Sequence, residues 1–183
     1  MHAFLASLRV AAATMVVCVG VYTSAVWALA QGVAPDAANG SLIVAEDGTV
    51  IGSRQVAQGF TEPGYFWPRP SAVDYNGAGA GGSNKSPASA DLADRAAQTV
   101  TEHGAATDRP LPADLAAASG SGLDPHISEA GARYQVARIA AARDIDPAGI
   151  ERLIDIAAFA AGGILSQDRI VNVLELNLAL DAL

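Results

Sequence analysis

A single cysteine, Cys18, leaves no partner for a disulfide within the 183 residues. Histidine is equally sparse. His2, His103 and His126 are scattered, with no cluster of ligands around any of them, so no metal site is expected. Basic residues are in short supply too, 11 Lys and Arg against 19 Asp and Glu. That balance excludes nucleic acid as a partner, because phosphates call for a basic surface. Charge is missing altogether from Val10 to Ala30, VAAATMVVCVGVYTSAVWALA. As a helix this run would cover about 30 Å, the thickness of a bilayer's hydrocarbon core.

All the acidic residues follow Ala30, and ten of the basic ones do, so residues 31–183 carry a balance of −9. Arg9 precedes the apolar run and Asp36, Glu46 and Asp47 follow it. The positive-inside rule then puts the N-terminus in the cytoplasm and the remainder outside. Two readings fit that orientation. Ala28-Leu29-Ala30 matches the small-residue cleavage site of a secretory signal. Against cleavage, the run exceeds the 7–15 residues usual for a signal's apolar region, and Tyr22 and Trp27 suit an interfacial helix. The expected organisation is a short cytoplasmic N-terminus (1–9), a transmembrane helix (10–30) and an extracytoplasmic domain (31–183).

Within that domain, SLIVAEDGTVIG predicts a β-hairpin, with strands at Leu42–Val44 and Val50–Ile51 around the turn residues Glu46-Asp47-Gly48. GFTEPGYFWPRPSAVDYNG is too punctuated by Pro and Gly for a long helix and reads as an ordered loop. A helix is predicted from about Ser89 to His103, with Leu92, Ala96 and Val100 on one stripe. Ser128 is placed to cap a second helix, with Ala130, Tyr134, Ala137 and Ala141 at helical spacing. Asp146-Pro147 starts a third, whose apolar face is Ile150, Leu153, Ile154, Ala157 and Ala158 and which Gly162 ends. The tail suggests a terminal helix from about Asn172, with a strand as the alternative. The fold class expected is α+β: one transmembrane helix, then a small domain with a β-hairpin and three to four helices.

Several patterns invite chemistry, each with a plainer alternative. Gly77, Gly79 and Gly82 match G-x-G-x-x-G, but no strand precedes them and no parallel sheet is apparent, as the dinucleotide fingerprint requires. Ser121, Asp124 and His126 supply the residue types of a hydrolytic triad, which would make the chain an exported hydrolase. Triads, however, are assembled from separated segments, and three residues in six positions of one loop favour local hydrogen bonding. Phe66, Trp67 and Arg69 are either a recognition patch or core anchors beside a solvated arginine. Gln135 reads as surface. A free extracytoplasmic assembly module is a third reading of the whole.

The order of motifs is distinctive: GSLI (40–43), GYFWPRPSAVDYN (64–76), GGSN (81–84), PADL (112–115), ASGSGLDPHIS (118–128), YQVARIAAAR (134–143) and VNVLELNLALD (171–181). It closely resembles the C subunit of the Kdp potassium-transporting P-type ATPase of bacteria. Lys85, Ala116-Ala117 and Val56-Ala57 depart from the usual pattern. The resemblance implies an uncleaved single-span protein of the inner membrane with a periplasmic domain, and no reaction carried out by this chain. It implies a lipid bilayer and three partner subunits: the channel-like potassium-translocating subunit (KdpA), the P-type ATPase subunit (KdpB) and a small membrane peptide (KdpF).

The resemblance implies a catalytic chaperone promoting ATP binding by the ATPase subunit; the acidic charge of residues 31–183 suggests the alternative of a periplasmic cap over the channel-like subunit. ATP and potassium ions then belong to the complex, with Gln135 as the position matched to a nucleotide contact. A domain outside the membrane should not meet cytoplasmic ATP, which favours the cap and assembly role. The expected interface residues are Phe66, Trp67, Arg69, Gly82, Ser83, Asn84, Ser121, Gly122, Asp124 and His126. Gly120 and Gly122 are expected to allow a tight turn there.

Overall fold

A computed structural model describes residues 2–163, 166 and 168–183. The chain divides into two compact units, with the break inside the first strand, between Ile43 and Val44.

The first unit is dominated by one apolar helix, His2–Val33, with a mean hydropathy of 2.0 and none of its most apolar window buried. It is built from α1 (His2–Met15), a π-helical turn (Val16–Tyr22) and α2 (Thr23–Val33). Helix thus extends beyond the expected span of residues 10–30 at both ends. Its hydroxyls bond along the helix: Ser7 Oγ donates to the Ala3 carbonyl, and Thr23 Oγ1 to the Cys18 carbonyl across the π turn. In hydrocarbon, where water cannot serve a polar group, such internal pairing is what lets Ser and Thr sit in a span. A short helix α3 (Pro35–Ala38) follows.

Strands β1 (Leu42–Val44) and β2 (Val50–Ser53) form the expected hairpin. Its turn is set by Asp47, whose Oδ1 accepts from the Thr49 amide, and by Gly48 at φ +85°. The second unit then runs through α4 (Ala90–Glu102), α5 (Ala113–Ala116), β3 (His126–Ser128), α6 (Glu129–Arg143), α7 (Pro147–Ala157), β4 (Phe159–Ala160), β5 (Arg169–Asn172) and α8 (Val173–Asp181). Residues 64–76 are irregular, as their Pro and Gly content dictates.

The caps behave as the sequence demands. Ser128 Oγ accepts from the Gly131 amide, Asp146 Oδ1 from Ala148, and Asn172 Oδ1 from Glu175. The tail is accordingly both things: four residues of strand, then a helix launched by Asn172.

Four expectations need correction. A second sheet exists, three-stranded and antiparallel in the order β3-β5-β4, with Ile127 opposite Val171 and Phe159 opposite Ile170. Its strands are too short for alternation to be visible in sequence. The third helix ends at Ala157, before Gly162, because Ala158 turns extended to feed β4. On α4 the buried position is Thr99, while Val100 is exposed. On α6 the buried stripe is Ala132, Gln135, Val136, Ile139 and Ala140, whereas Ala130, Ala137 and Ala141 face out. Alanine is compatible with either side, so the alanine stripe carried no direction.

The core gathers Phe66, Leu115, Ile127, Ile139, Ile150, Ile154, Val171, Leu176 and Leu180, all essentially inaccessible. Every regular element from α5 to α8 except β4 contributes to it. So does the irregular segment, through Phe66, which is how an unstructured-looking loop is held in place.

Candidate functional site

The motifs quoted above as isolated strings prove to be one another's partners. Phe66 and Trp67 lie outside any strand among the described residues, yet all four of their main-chain polar groups are paired. The Phe66 amide donates to Asn177 Oδ1 at 2.8 Å, and Asn177 Nδ2 donates back to the Phe66 carbonyl at 3.1 Å. The Trp67 amide donates to Gln135 Oε1 at 2.8 Å, and Gln135 Nε2 returns to the Trp67 carbonyl at 3.1 Å. Two side-chain amides, one from α8 and one from α6, thus imitate the ladder of a neighbouring strand. Both are buried, with Gln135 1% and Asn177 2% exposed.

Gln135 is therefore not a surface residue. Its oxygen accepts a second bond from Arg138 Nη2 at 2.6 Å, and its nitrogen also reaches the Gly131 carbonyl at 3.4 Å. That accounts for the usual capacity of a side-chain amide.

The arginines of α6 complete the grip. Arg138 donates to the Pro63 and Tyr65 carbonyls, and its guanidinium lies 3.8 Å from the centroid of the Trp67 ring. Arg143 donates to the Gly64 carbonyl and to Asp181 Oδ1, with the Tyr65 ring 4.6 Å away. Burial pushes the Arg138 guanidinium down to about 10. Neither Arg138, Asn177 nor the buried role of Gln135 was anticipated. A signal was present: one Gln between the apolar positions 132 and 136 of a helix, and one Asn between Leu176 and Leu180.

The second meeting point joins GGSN to ASGSGLDPHIS. The Gly81 amide donates to the Ser121 carbonyl at 2.7 Å. Gly122 has φ +68°, and a Cβ there would meet Val73 Cγ2 at 2.5 Å and the Gly81 carbonyl at 2.8 Å. The turn expectation holds for Gly122. It fails for Gly120, which has no positive φ and open space around it; the close approach there is made by Gly82, where an added Cβ would lie 2.9 Å from the Gly120 carbonyl. Ser83 is half-buried, and Asn84 is exposed in a left-handed conformation at φ +49°. Lys85 forms an exposed ion pair with Asp91 at the start of α4.

Phe66 is a core anchor. Trp67 is half-buried and donates through Nε1 to the Glu62 carbonyl. Arg69 is not simply solvated: its Nη1 lies 2.9 Å from Asp124 Oδ2. Asp124 also accepts from the His126 amide at 3.0 Å and faces His126 Nδ1 at 3.4 Å. The His126 side chain, the His126 amide and Arg69 hold the Asp124 carboxyl down to about 2 against the opposing cost of burial. His126 sits on β3, with its ring edge-on to Phe159. Ser121 Oγ accepts from the Leu123 amide, and among the described residues no hydrogen bond joins it to His126. Ser121, Asp124 and His126 thus form local turn contacts, with the ion pair of Asp124 made to Arg69, and not a Ser–His–Asp relay. PADL has an equally structural partner, since Asp114 accepts from both the amide and the hydroxyl of Ser128.

Asp124 has a measurable consequence. Its unfolded carboxyl titrates at 3.8 and its folded one at about 2. The stabilisation is complete above 3.8 and is lost as pH falls towards 2. With partial solvent screening it is worth on the order of 1 kcal/mol. Unfolding followed between pH 6 and pH 2 should show Asp124→Asn less stable than wild type at neutral pH and converging with it in acid; a constant gap would exclude this linkage.

Two hollows flank this region. One, of about 550 Å³, lies between the 60–75 segment and α4; the other, of about 240 Å³, lies at Arg109, Tyr134 and Arg138. His103 lines both.

Comparison with known proteins finds relatives over nearly the whole chain. Residues 4–182 match the family model described as KdpC: K+-transporting ATPase, c chain. A relative from Parvibaculum lavamentivorans is 67% identical over 99% of this chain and 97% of its own length. One from Cereibacter sphaeroides is 49% identical, covering 88% and 86% respectively. A third, from Myxococcus xanthus, is 45% identical over 97% and 87%. All three relatives are named potassium-transporting ATPase KdpC subunit.

Proposed function

The chain belongs to the KdpC family, and on that basis we propose that it is a non-catalytic accessory subunit of ATP-driven potassium uptake that acts by assembly. The helix His2–Val33 anchors it in the inner membrane as a single span, N-terminus inside and domain in the periplasm. The partners are the channel-like subunit, the P-type ATPase subunit and the small membrane peptide of the same complex. ATP and potassium are handled by those partners. The acidic domain caps the channel-like subunit and raises the local cation concentration through its field, an effect screened beyond about 8–10 Å at physiological ionic strength.

The observation that carries this reading is the complete internal use of Gln135. A residue 1% exposed, with both amide atoms doubly bonded inside the chain, is built to hold the Trp67 backbone rather than to receive a nucleotide. Any effect on the ATPase subunit's affinity for ATP then passes through the assembled shape, and Gln135 is a positioning residue.

The test is capture of the full chain from detergent-solubilised membranes that contain the other Kdp subunits. The captured material should hydrolyse ATP with potassium stimulation, and the chain should retain Arg9 at its N-terminal side. A chain recovered alone in the soluble extracytoplasmic fraction and beginning after Ala30 would refute the proposal.

A further inference from the structure

Two arginines of the domain rest against aromatic rings with no carboxylate paired to them among the described residues. Arg138 lies over Trp67, and its bonds go to neutral acceptors: the Pro63 and Tyr65 carbonyls and Gln135 Oε1. Arg109 lies 4.6 Å from the Tyr134 ring centroid, and its Nη2 donates to the His103 and Gly104 carbonyls. The two arginines line the same hollow of about 240 Å³, together with His103, Tyr134 and Gln135. Glu102, which acts on His103 from the end of α4, is the neighbouring acid, and it bonds instead to Gln98. In a region where acidic residues outnumber basic ones nineteen to ten, this hollow is an island of positive charge.

The larger cleft adjoins it at His103. His103 forms part of both walls, and its ring lies edge-on to Trp67 at 5.2 Å. Trp67, Tyr75 and Phe60 give that cleft an aromatic lining, where Arg95 stands with the carboxylates of Asp74 and Glu102, so the excess of positive charge belongs to the smaller hollow. Trp, Tyr and Arg clustered around a concave surface are the residue types that dominate binding energy at protein interfaces.

Resting on the subunit reading above, we propose that this groove is the docking surface for a periplasmic segment of a partner subunit, with one carboxylate of that segment seated between Arg109 and Arg138. The chemistry is specific. On Arg138, Nε–H and one Nη2 proton are not used by the bonds above; on Arg109, Nε–H and both Nη1 protons are not. On Arg138 the unused Nε–H and Nη2 proton offer a side-on fork that matches a carboxylate in a paired geometry lysine cannot reproduce, and Arg109 adds single Nε–H and Nη1 donors. A free small anion would occupy the 240 Å³ hollow and leave the aromatic cleft empty; a polypeptide segment fills both.

The experiment uses the assembled complex of full-length chains. A photo-crosslinking residue, p-benzoylphenylalanine, replaces the exposed Ala137 on the rim of the hollow. Irradiation should join the chain to a partner subunit, and the joined peptide should contain Asp or Glu. Arg109→Glu should lower the yield of that product about tenfold, the equivalent of 1.4 kcal/mol, and Arg109→Gln by less. Arg109 is exposed on a loop and its side chain bonds to loop carbonyls and rests on the Tyr134 ring, so each variant should lose little stability and remain folded. An intact, potassium-stimulated complex that gives no product, or the same product in Arg109→Glu, would overturn the inference and leave the subunit reading standing. Inorganic phosphate raising the unfolding temperature of wild type but not of Arg109→Gln, without a cross-link, would assign the hollow to a small oxyanion and equally overturn it. Failure of the wild-type chain to join any complex would instead be the failure of the subunit reading.

Discussion

Gly122→Val should destabilise the domain by about 3–5 kcal/mol and sharply reduce recovery of the assembled pump. Gly122 lies at φ +68°, where a β-branched residue is strained whatever the room around it. There is also no room: an added Cβ would sit 2.5 Å from Val73 Cγ2 and 2.8 Å from the Gly81 carbonyl. The Gly122 carbonyl receives the Ser71 hydroxyl at 2.7 Å, and Ser71 in turn orders the amides of Val73 and Tyr75. Displacing Gly122 therefore disturbs the 64–76 segment and the GGSN loop together. Two neighbours provide the control. Ser121→Ala removes only a local bond to the Leu123 amide, and Gly120→Ala adds a methyl to open space. Each should change stability by less than about 0.5 kcal/mol, as for ordinary surface substitutions. Thermal unfolding of the full chain and the yield of captured complex measure both effects. A Gly122→Val protein that unfolds at the wild-type temperature would show that the turn is not held as described.

The second large effect belongs to the two amides. Gln135→Ala leaves the Trp67 amide and carbonyl without partners and takes an acceptor from Arg138; Asn177→Ala does the same to Phe66. A buried polar group left unpaired costs about 1–3 kcal/mol, so each variant should lose about 3 kcal/mol. Because the two amides hold consecutive residues of one segment, their losses should not add. Once either lets go, water reaches part of what the other protects, and the double variant should fall short of the sum by on the order of 1 kcal/mol. Denaturant unfolding of the four proteins closes the cycle. Full additivity would mean that Phe66 and Trp67 are not held as one unit.

The parts of this fold that sequence expresses directly are those decided within a few residues. Ser128, Asp146 and Asn172 announce their helices because a cap needs only its own side chain and the next turn. The hairpin is legible for the same reason, through Asp47 and Gly48. The orientation of α6 is not, since its alanines fit either face and its one decisive polar residue points inward. The three-stranded sheet is likewise hidden, because pairing Ile127 with Val171 joins short segments far apart in the chain. The site was visible as motifs but not as contacts. Nothing in YQVARIAAAR alone says that Gln135 and Arg138 grip GYFWPRP; only the folded chain brings them together.

The most direct test of the idea that this subunit works by holding a shape is made on assembled pumps carrying Gln135→Ala. Unfolding temperature and the ATP affinity of the surviving intact complex are measured on the same preparation. A lower unfolding temperature with ATP affinity equal to wild type is the predicted result. An unchanged unfolding temperature with weakened ATP affinity would contradict it, and would make Gln135 a nucleotide contact after all.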